Sequence, residues 1–349
     1  MILLFPIIGL VAGFIVIYLS ADQFIDNSAK IANIYKVKPL IIGIVILGFG
    51  TSAPEMFVSG WAAFKEHPGL SVGNAFGSNI FNIALVLGIT AIIKPIKLEF
   101  KTIRFELVIL ILFTLIAGFL LLHDDFNSMT FNGSLSSLDG FILLGLLGIF
   151  LWYTFRESKK VQLEYDIGRY GISYKNEDSE KKWKLWRDLV FWLIVLVGSA
   201  QLIVISATFL ANYYHVSDLI FGLTVVALGT SIPELAVSVR GAVRKQHEMV
   251  VGNIIGSNIF NTVAVLAIPA LISTSDIALV DTPGVSGLWP TYSVFFLDFG
   301  VMLLLTVGIG LFLFVPGIGG KKTHQISQVE GIFFIVVLIA YLSQRLLLL

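Results

Sequence analysis

Two glutamates stand where the chain is otherwise apolar. Glu55 closes the run Gly48-Phe49-Gly50-Thr51-Ser52-Ala53-Pro54, and Glu234 closes Ala227-Leu228-Gly229-Thr230-Ser231-Ile232-Pro233, 179 residues later. An apolar run as long as Leu40–Phe64 or Leu219–Val243 suits a membrane-spanning helix. An ionisable group at that depth is costly and marks a functional site. The polar groups nearby are all oxygen donors: the hydroxyls of Thr51, Ser52, Thr230, Ser231, Ser78 and Ser257, the amide oxygens of Asn82 and Asn261, and the carbonyls at Gly48 and Ala227. Two carboxylates in one dry cavity cannot both stay ionised without a cation. All-oxygen ligation without His or Cys points to Ca²⁺, Na⁺ or Mg²⁺ rather than Zn²⁺ or copper. Mg²⁺ gives up its waters reluctantly and fits a dehydrating cage less well than Ca²⁺.

These groups need a scaffold that interrupts a helix. Pro54 donates no amide hydrogen bond and disfavours helix at Ala53, while Gly48 and Gly50 loosen the same turn. The helix is therefore expected to break just before the carboxylate, exposing backbone carbonyls that bind cations. A second motif pair follows at the same offset: Gly73-Asn74-Ala75-Phe76-Gly77-Ser78-Asn79-Ile80-Phe81-Asn82 and Gly252-Asn253-Ile254-Ile255-Gly256-Ser257-Asn258-Ile259-Phe260-Asn261. From Ile41 to Ile93 about 24 of 53 positions recur without a gap, an internal repeat. Ser78 and Asn82 share one helix face by i, i+4 spacing, as do Ser257 and Asn261. The G-x-x-x-G glycines at 73, 77, 252 and 256 are expected to serve close helix packing. Asn79 and Asn258, off the Ser/Asn face, are assigned to packing.

Composition agrees with a membrane setting. The 349 residues are 56% hydrophobic and 13% charged, with mean hydropathy +0.90 and no cysteine. That is a polytopic membrane protein without a disulfide framework or thiolate site. Zero net charge gives no electrostatic case for a nucleic-acid partner. Residues 1–19 lack the pattern of a cleaved signal, so the first helix is expected to stay.

Ten spans are predicted, an all-α protein of two five-helix repeats with helices 2 and 7 broken: Ile2–Leu19 running on towards Lys30, Leu40–Phe64, Leu70–Ile93, Ile103–Leu122, Leu138–Phe155, Leu189–Tyr213, Leu219–Val243, Met249–Ile272, Phe295–Phe314 and Val329–Leu347. The domain reading is a first repeat at 1–155 (motif 41–93), a basic cytoplasmic linker at 156–187, and a second repeat at 188–349 (motif 220–272). Lys and Arg gather after the odd-numbered spans, at Lys36, Lys38, Lys94, Lys97, the linker, Arg244, Lys245, Lys321 and Lys322. By the positive-inside rule both termini face away from the cytoplasm. An odd number of spans per half then inverts the second repeat, the plan of secondary transporters with a midplane site.

G-T-S-x-P-E followed by G-S-N-I-F-N, present twice, resembles the alpha repeats of the sodium/calcium exchanger family within the calcium/cation antiporter superfamily, in its short prokaryotic form. The resemblance covers the whole ten-helix plan. It implies that Glu55 and Glu234 are shared ligands for Ca²⁺ and Na⁺, and that Thr51 and Thr230 add oxygens to the calcium site. It implies that Ser52, Ser78, Ser231 and Ser257 serve flanking sodium sites, and that Asn82 and Asn261 line the middle. Some exchangers carry Asp at one of those last two positions; here both are Asn, which leaves sodium stoichiometry and potassium dependence open. The implied substrates are Ca²⁺ and Na⁺, with no cofactor and no enzymatic activity, in a prokaryotic inner membrane and as a functional monomer surrounded by lipid.

Competing classes make different demands. A Ca²⁺/H⁺ or K⁺-dependent antiporter would keep the fold and change the coupling ion. A cation channel gains selectivity from a ring of identical subunits, which one chain with two copies does not supply. An intramembrane hydrolase needs a nucleophile or metal-bound water that Thr/Ser-rich broken helices lack. Elsewhere, Asp26, Asp298, Gln201 and Glu106 are expected to be paired or interfacial. The five histidines are expected at the surface, and Trp152, Trp183, Trp186, Trp192 and Trp289 in an interfacial belt.

Overall fold

The computed structural model describes residues 3–65, 68–97, 100–122, 134–166, 179–213, 227–273, 277–278, 294–314 and 325–347, nearly all of them helical. Helix α1 spans Leu4–Ile34. Helix α2 comprises Pro39–Ile42, a π-helical turn Gly43–Gly48, and Phe49–Thr51; α3 is Ala53–Phe64. Helix α4 runs through Pro68–Phe81, a second π turn Asn82–Leu87, and Gly88–Ile93. The short strand β1 (Ile96–Lys97), α5 (Phe100–Leu122), β2 (Ser134–Leu135) and α6 (Ser137–Asp166) complete the first half. The second half holds α7 (Ser179–Tyr213), α8 (Ala227–Thr230) and α9 (Ile232–Val243). Helix α10 joins His247–Phe260, a π turn Asn261–Val265, and Leu266–Ile272. β3 (Ile277–Ala278), α11 (Val294–Phe314), β4 (Gln325–Ile326) and α12 (Gln328–Leu347) follow.

Among the described residues, seven helices are long and apolar enough to cross a membrane, and eight if α2 and α3 form one broken span. Leu297–Phe312 is a shorter apolar helix. Large side chains such as Phe5, Phe14, Phe57, Phe119, Phe141 and Ile194 are more than half exposed on these helices. Outward apolar faces on helices with internally satisfied backbones suit lipid rather than water, and the chain is an integral membrane protein. The expected span Leu219–Val243 lies outside the described residues over 219–226. The segment 156–187, expected as linker, is entered from both sides by helix: α6 continues to Asp166 and α7 begins at Ser179, and 167–178 lie outside the described residues.

The repeat is visible in element boundaries. α3 and α9 each have 12 residues, and the first segments of α4 and α10 each have 14, every start and end displaced by the same sequence offset. The π turns of α4 and α10 begin at the repeat-related Asn82 and Asn261. β1, after α4, pairs with β4, before α12, through Ile96↔Ile326. β3, after α10, pairs with β2, before α6, through Ser134↔Ala278. α6 and α12 start with matched capping boxes: the Ser136 amide donates to Asp139 Oδ2 at 2.8 Å, and the Ser327 amide to Glu330 Oε2 at 2.9 Å.

The chain forms two compact units that cut across the sequence halves: Met1–Thr51 with Ile149–Gly256, and Ser52–Gly148 with Ser257–Leu349. The first unit has a core of Ile17, Phe24, Ile25, Leu189, Leu196, Ile203, Val237 and Met249. In it α1 lies along α7 with no room for a side chain at Gly13, where an added Cβ would come 2.5 Å from Ile203 Cγ1. The start of α10 runs against α2 just as closely. A Cβ at Gly252 would meet Leu40 O at 2.5 Å, and one at Gly256 would meet Ile44 O at 2.6 Å. The packing role expected for these two glycines is borne out, whereas at Gly73 and Gly77 an added Cβ would meet no described atom within 4 Å, so the close packing expected there is not found. In the second unit α4 and the later part of α10 are tied by Asn79 Nδ2, which donates to Thr262 Oγ1 at 2.9 Å. Asn79 therefore packs, as expected. α11 and α12 are joined by the buried Asp298, which accepts from the Tyr341 hydroxyl at 2.9 Å and pairs with Arg345 at 3.3 Å.

Candidate cation site

Each broken helix breaks at one serine. α2 ends at Thr51 and α3 starts at Ala53; Ser52 between them has φ −84° and ψ 0°. α8 ends at Thr230 and α9 starts at Ile232; Ser231 has φ −89° and ψ 2°. Pro54 and Pro233 sit in the first turn after each break, where a missing amide proton costs least. In both copies the serine carbonyl accepts the amide four residues on, Met56 and Leu235, at 3.1 Å. Glu55 and Glu234 occupy the first turn of α3 and α9. Helix N-termini favour a negative charge there, which offsets part of the cost of burying carboxylates that are 0% exposed.

The buried oxygens of these motifs are largely unspent on the protein. Among the described residues, Ser52 Oγ, Ser78 Oγ, Ser231 Oγ, and both amide atoms of Asn82 and of Asn261 have no hydrogen-bond partner. No hydrogen bond of normal geometry reaches either carboxylate oxygen of Glu234, although the Thr51 side chain faces it. Buried polar atoms are ordinarily paired, so a concentration of orphans asks for a ligand. Among the described residues no group of three or more His, Cys, Asp or Glu could hold a metal. The candidate donors are mostly neutral oxygens, which suit a hard cation.

The candidate residues divide between the two compact units. The first holds Gly48, Thr51, Ala227, Thr230, Ser231 and Glu234; the second holds Ser52, Glu55, Ser78, Asn82, Ser257 and Asn261. Within the first unit the repeats meet, because Thr51 from one faces Glu234 from the other. Within the second, the bond from Asn79 to Thr262 brings the helix carrying Ser78 and Asn82 against the π turn that starts at Asn261. A π turn widens the helix by one residue, is frequent at functional sites, and here begins at the predicted ligand in both copies. Gly48 closes the π turn of α2, and Ala227 opens the described part of α8.

Several residues beside the site escaped prediction. Asn74 Nδ2 donates to Ser59 Oγ at 3.0 Å and to the Glu55 carbonyl at 3.3 Å. Its repeat mate Asn253 donates to Ser238 Oγ at 3.2 Å, and Asn253 Oδ1 accepts from the Thr51 hydroxyl at 3.3 Å. The identity of Ser59 with Ser238 across the repeat was the available signal. An ion-pair network in the first unit had none. Asp22 on α1 accepts from Arg240 and Arg244, the latter at 2.6 Å, and Asp26 bonds Arg244 at 3.0 Å and Lys30 at 2.6 Å. Asp26 and Asp298 are thus paired, as expected. Trp186, assigned to an interfacial belt, donates to Tyr35 Oη at 3.0 Å.

Residues 5–156 and 186–347 match the sodium/calcium exchanger protein family. The inner membrane protein YrbG of Escherichia coli is 35% identical over 271 residues, 77% of this chain and 80% of that protein. The sodium/calcium exchanger MaX1 of Methanosarcina acetivorans is 26% identical over 369 residues, 95% and 96% of the two chains. Among solved structures, the sodium-calcium exchanger NCX_Mj soaked with 10 mM Na⁺ and 10 mM Sr²⁺ superposes with a TM-score of 0.76 at 29% identity, covering 98% of each chain.

Proposed function

Because the chain belongs to the sodium/calcium exchanger protein family, we propose that it is a secondary antiporter exchanging Na⁺ for Ca²⁺ across the membrane. The family is one of transporters rather than enzymes, and ions are its substrates. The observation that carries the reading is the set of buried oxygens in both motif copies, at Ser52, Ser78, Ser231, Glu234, Asn82 and Asn261, without protein partners. Glu55 and Glu234 act as the charged ligands that Ca²⁺ and Na⁺ compete for. Thr51 and Thr230 complete the calcium coordination, with the Gly48 and Ala227 carbonyls, and Ser52, Ser78, Ser231 and Ser257 complete flanking sodium sites. Asn82 and Asn261 line the middle. Two buried carboxylates without a cation are costly, so the empty carrier resists reorientation and exchange is coupled.

On this reading the ten spans form inverted repeats, and one chain holds a complete site and functions as a monomer. The termini face away from the cytoplasm, and 156–187 lies in it, in a prokaryotic inner membrane. The deciding experiment is ⁴⁵Ca²⁺ uptake into proteoliposomes loaded with Na⁺, K⁺ or acid. Uptake driven by the outward Na⁺ gradient, and lost in Glu55→Gln and Glu234→Gln, is the expected result. Uptake driven by acid alone would move the protein to Ca²⁺/H⁺ exchange on the same fold, and a need for K⁺ would make it K⁺-dependent. Flux independent of any counter-ion and without saturation would make it a channel.

A further inference from the structure

We propose that Asn253 is a positioning residue: it takes the proton of the Thr51 hydroxyl so that the oxygen lone pairs of Thr51 face the transported divalent cation. The inference rests on the reading of Thr51 as a cation ligand.

A threonine hydroxyl carries one proton and two lone pairs. To ligate a cation it must turn the proton away. Three acceptors surround it: Leu47 O at 3.0 Å, Asn253 Oδ1 at 3.3 Å, and the Glu234 carboxylate that the Thr51 side chain faces; with a cation on that carboxylate the first two remain for the proton. The other end of the Asn253 amide is anchored, with Nδ2 3.2 Å from Ser238 Oγ on α9. In this arrangement the oxygen of Asn253 is turned towards Thr51. With the amide turned over, Nδ2 would donate to Thr51 and occupy a lone pair the cation needs. Asn253 is 0% exposed, so water cannot substitute for it.

The approach of two backbones makes the reach possible. Asn253 follows Gly252 and precedes Gly256, the two glycines at which α10 runs against α2 with no space for a Cβ. Only at that separation does a side chain as short as asparagine on α10 meet Thr51 at the end of α2. Asn74 is anchored in the same way on Ser59, with its amide also held by the Glu55 carbonyl. Anchoring an asparagine on a serine of the preceding helix is thus common to both motif copies.

The test is a double-mutant cycle on reconstituted full-length protein, reading the half-saturating Ca²⁺ concentration and the maximal rate of ⁴⁵Ca²⁺ uptake for wild type, Thr51→Val, Asn253→Ala and the pair. A single neutral hydrogen bond is worth about three- to tenfold in an equilibrium. Asn253→Ala is expected to raise half-saturation by about that factor, with the maximal rate little changed. On the Thr51→Val background it is expected to add nothing. Ser238→Ala, which frees the amide to rotate, is expected to act in the same direction and likewise add nothing to Thr51→Val; this arm decides if Asn253→Ala does not fold. Effects of Asn253→Ala or Ser238→Ala that add to those of Thr51→Val would overturn the proposal and leave the antiport reading standing. A maximal rate that falls at constant half-saturation would do the same. Thr51→Val with unchanged half-saturation would instead remove Thr51 as a ligand, and the proposal with it.

Discussion

Asn74 Nδ2 lies 3.0 Å from Ser59 Oγ, and the same bond, 3.2 Å long, joins Asn253 to Ser238 one repeat later. Each bond fastens the helix that carries the G-S-N-I-F-N motif to the helix whose first turn holds the glutamate.

Asn74→Leu removes the only donor Ser59 Oγ has from that side chain and leaves the Glu55 carbonyl without its side-chain donor. Losing two hydrogen bonds of a buried side chain costs about 1–3 kcal/mol. Thermal unfolding in detergent is expected to show a lowered Tm for Asn74→Leu and a smaller drop for Ser59→Ala, which still leaves Asn74 its bond to Glu55 O. Ser59→Ala also loses the Ser59 hydroxyl's bond to Ser71 O, so a drop as large as that of Asn74→Leu would place the stabilisation on the serine.

Glu234→Gln removes a carboxylate that is 0% exposed. In cation-free buffer this variant is expected to be as stable as wild type or more so, because burying an amide costs less than burying a carboxylate. Added Ca²⁺ is expected to raise the Tm of wild type and not of Glu234→Gln, since a ligand stabilises only the state that binds it. An unchanged Ca²⁺-dependent rise in the variant would remove Glu234 from the site.

Asp22 serves two arginines, and its side chain is 18% exposed. Asp22→Asn leaves Arg240 and Arg244 facing each other across a half-buried seam between α1 and α9. A loss of about 1–3 kcal/mol follows, less than for a fully buried pair because water reaches Arg244. Unfolding in detergent is expected at lower temperature. Asp26→Asn, which weakens more exposed contacts to Arg244 and Lys30, is expected to cost much less.

Gly256→Ala puts a methyl group 2.6 Å from Ile44 O, where both partners are backbone. Overpacking of this kind costs about 1–3 kcal/mol, or more when neither side yields. Gly148→Ala is the control, because nothing lies within 4 Å of its added Cβ. Monodispersity and Tm after purification are expected to fall for Gly256→Ala and to hold for Gly148→Ala.

The membrane class, the repeat and the breaks at Ser52 and Ser231 were legible in the sequence because each follows from local chemistry. Long apolar runs, a proline that cannot donate, and polar residues that lipid does not select all act within a turn or two of chain. The match of α3 to α9 and of α4 to α10 in length needed nothing more than the 179-residue offset. What only the tertiary structure decided was which buried groups meet. Thr51 and Asn253 are 202 residues apart, and Asp22 and Arg244 are 222 apart. Composition offered several equivalent amides and hydroxyls for each. The choice was made by how closely α10 settles on α2 at Gly252 and Gly256, a distance that no periodicity records. The π turns at Asn82 and Asn261 were likewise hidden, because shifting a backbone bond by one residue leaves the hydrophobic pattern almost unchanged. The two compact units were also hidden. Each takes segments from both repeats, since packing follows complementary surfaces and not the order in which the halves are written.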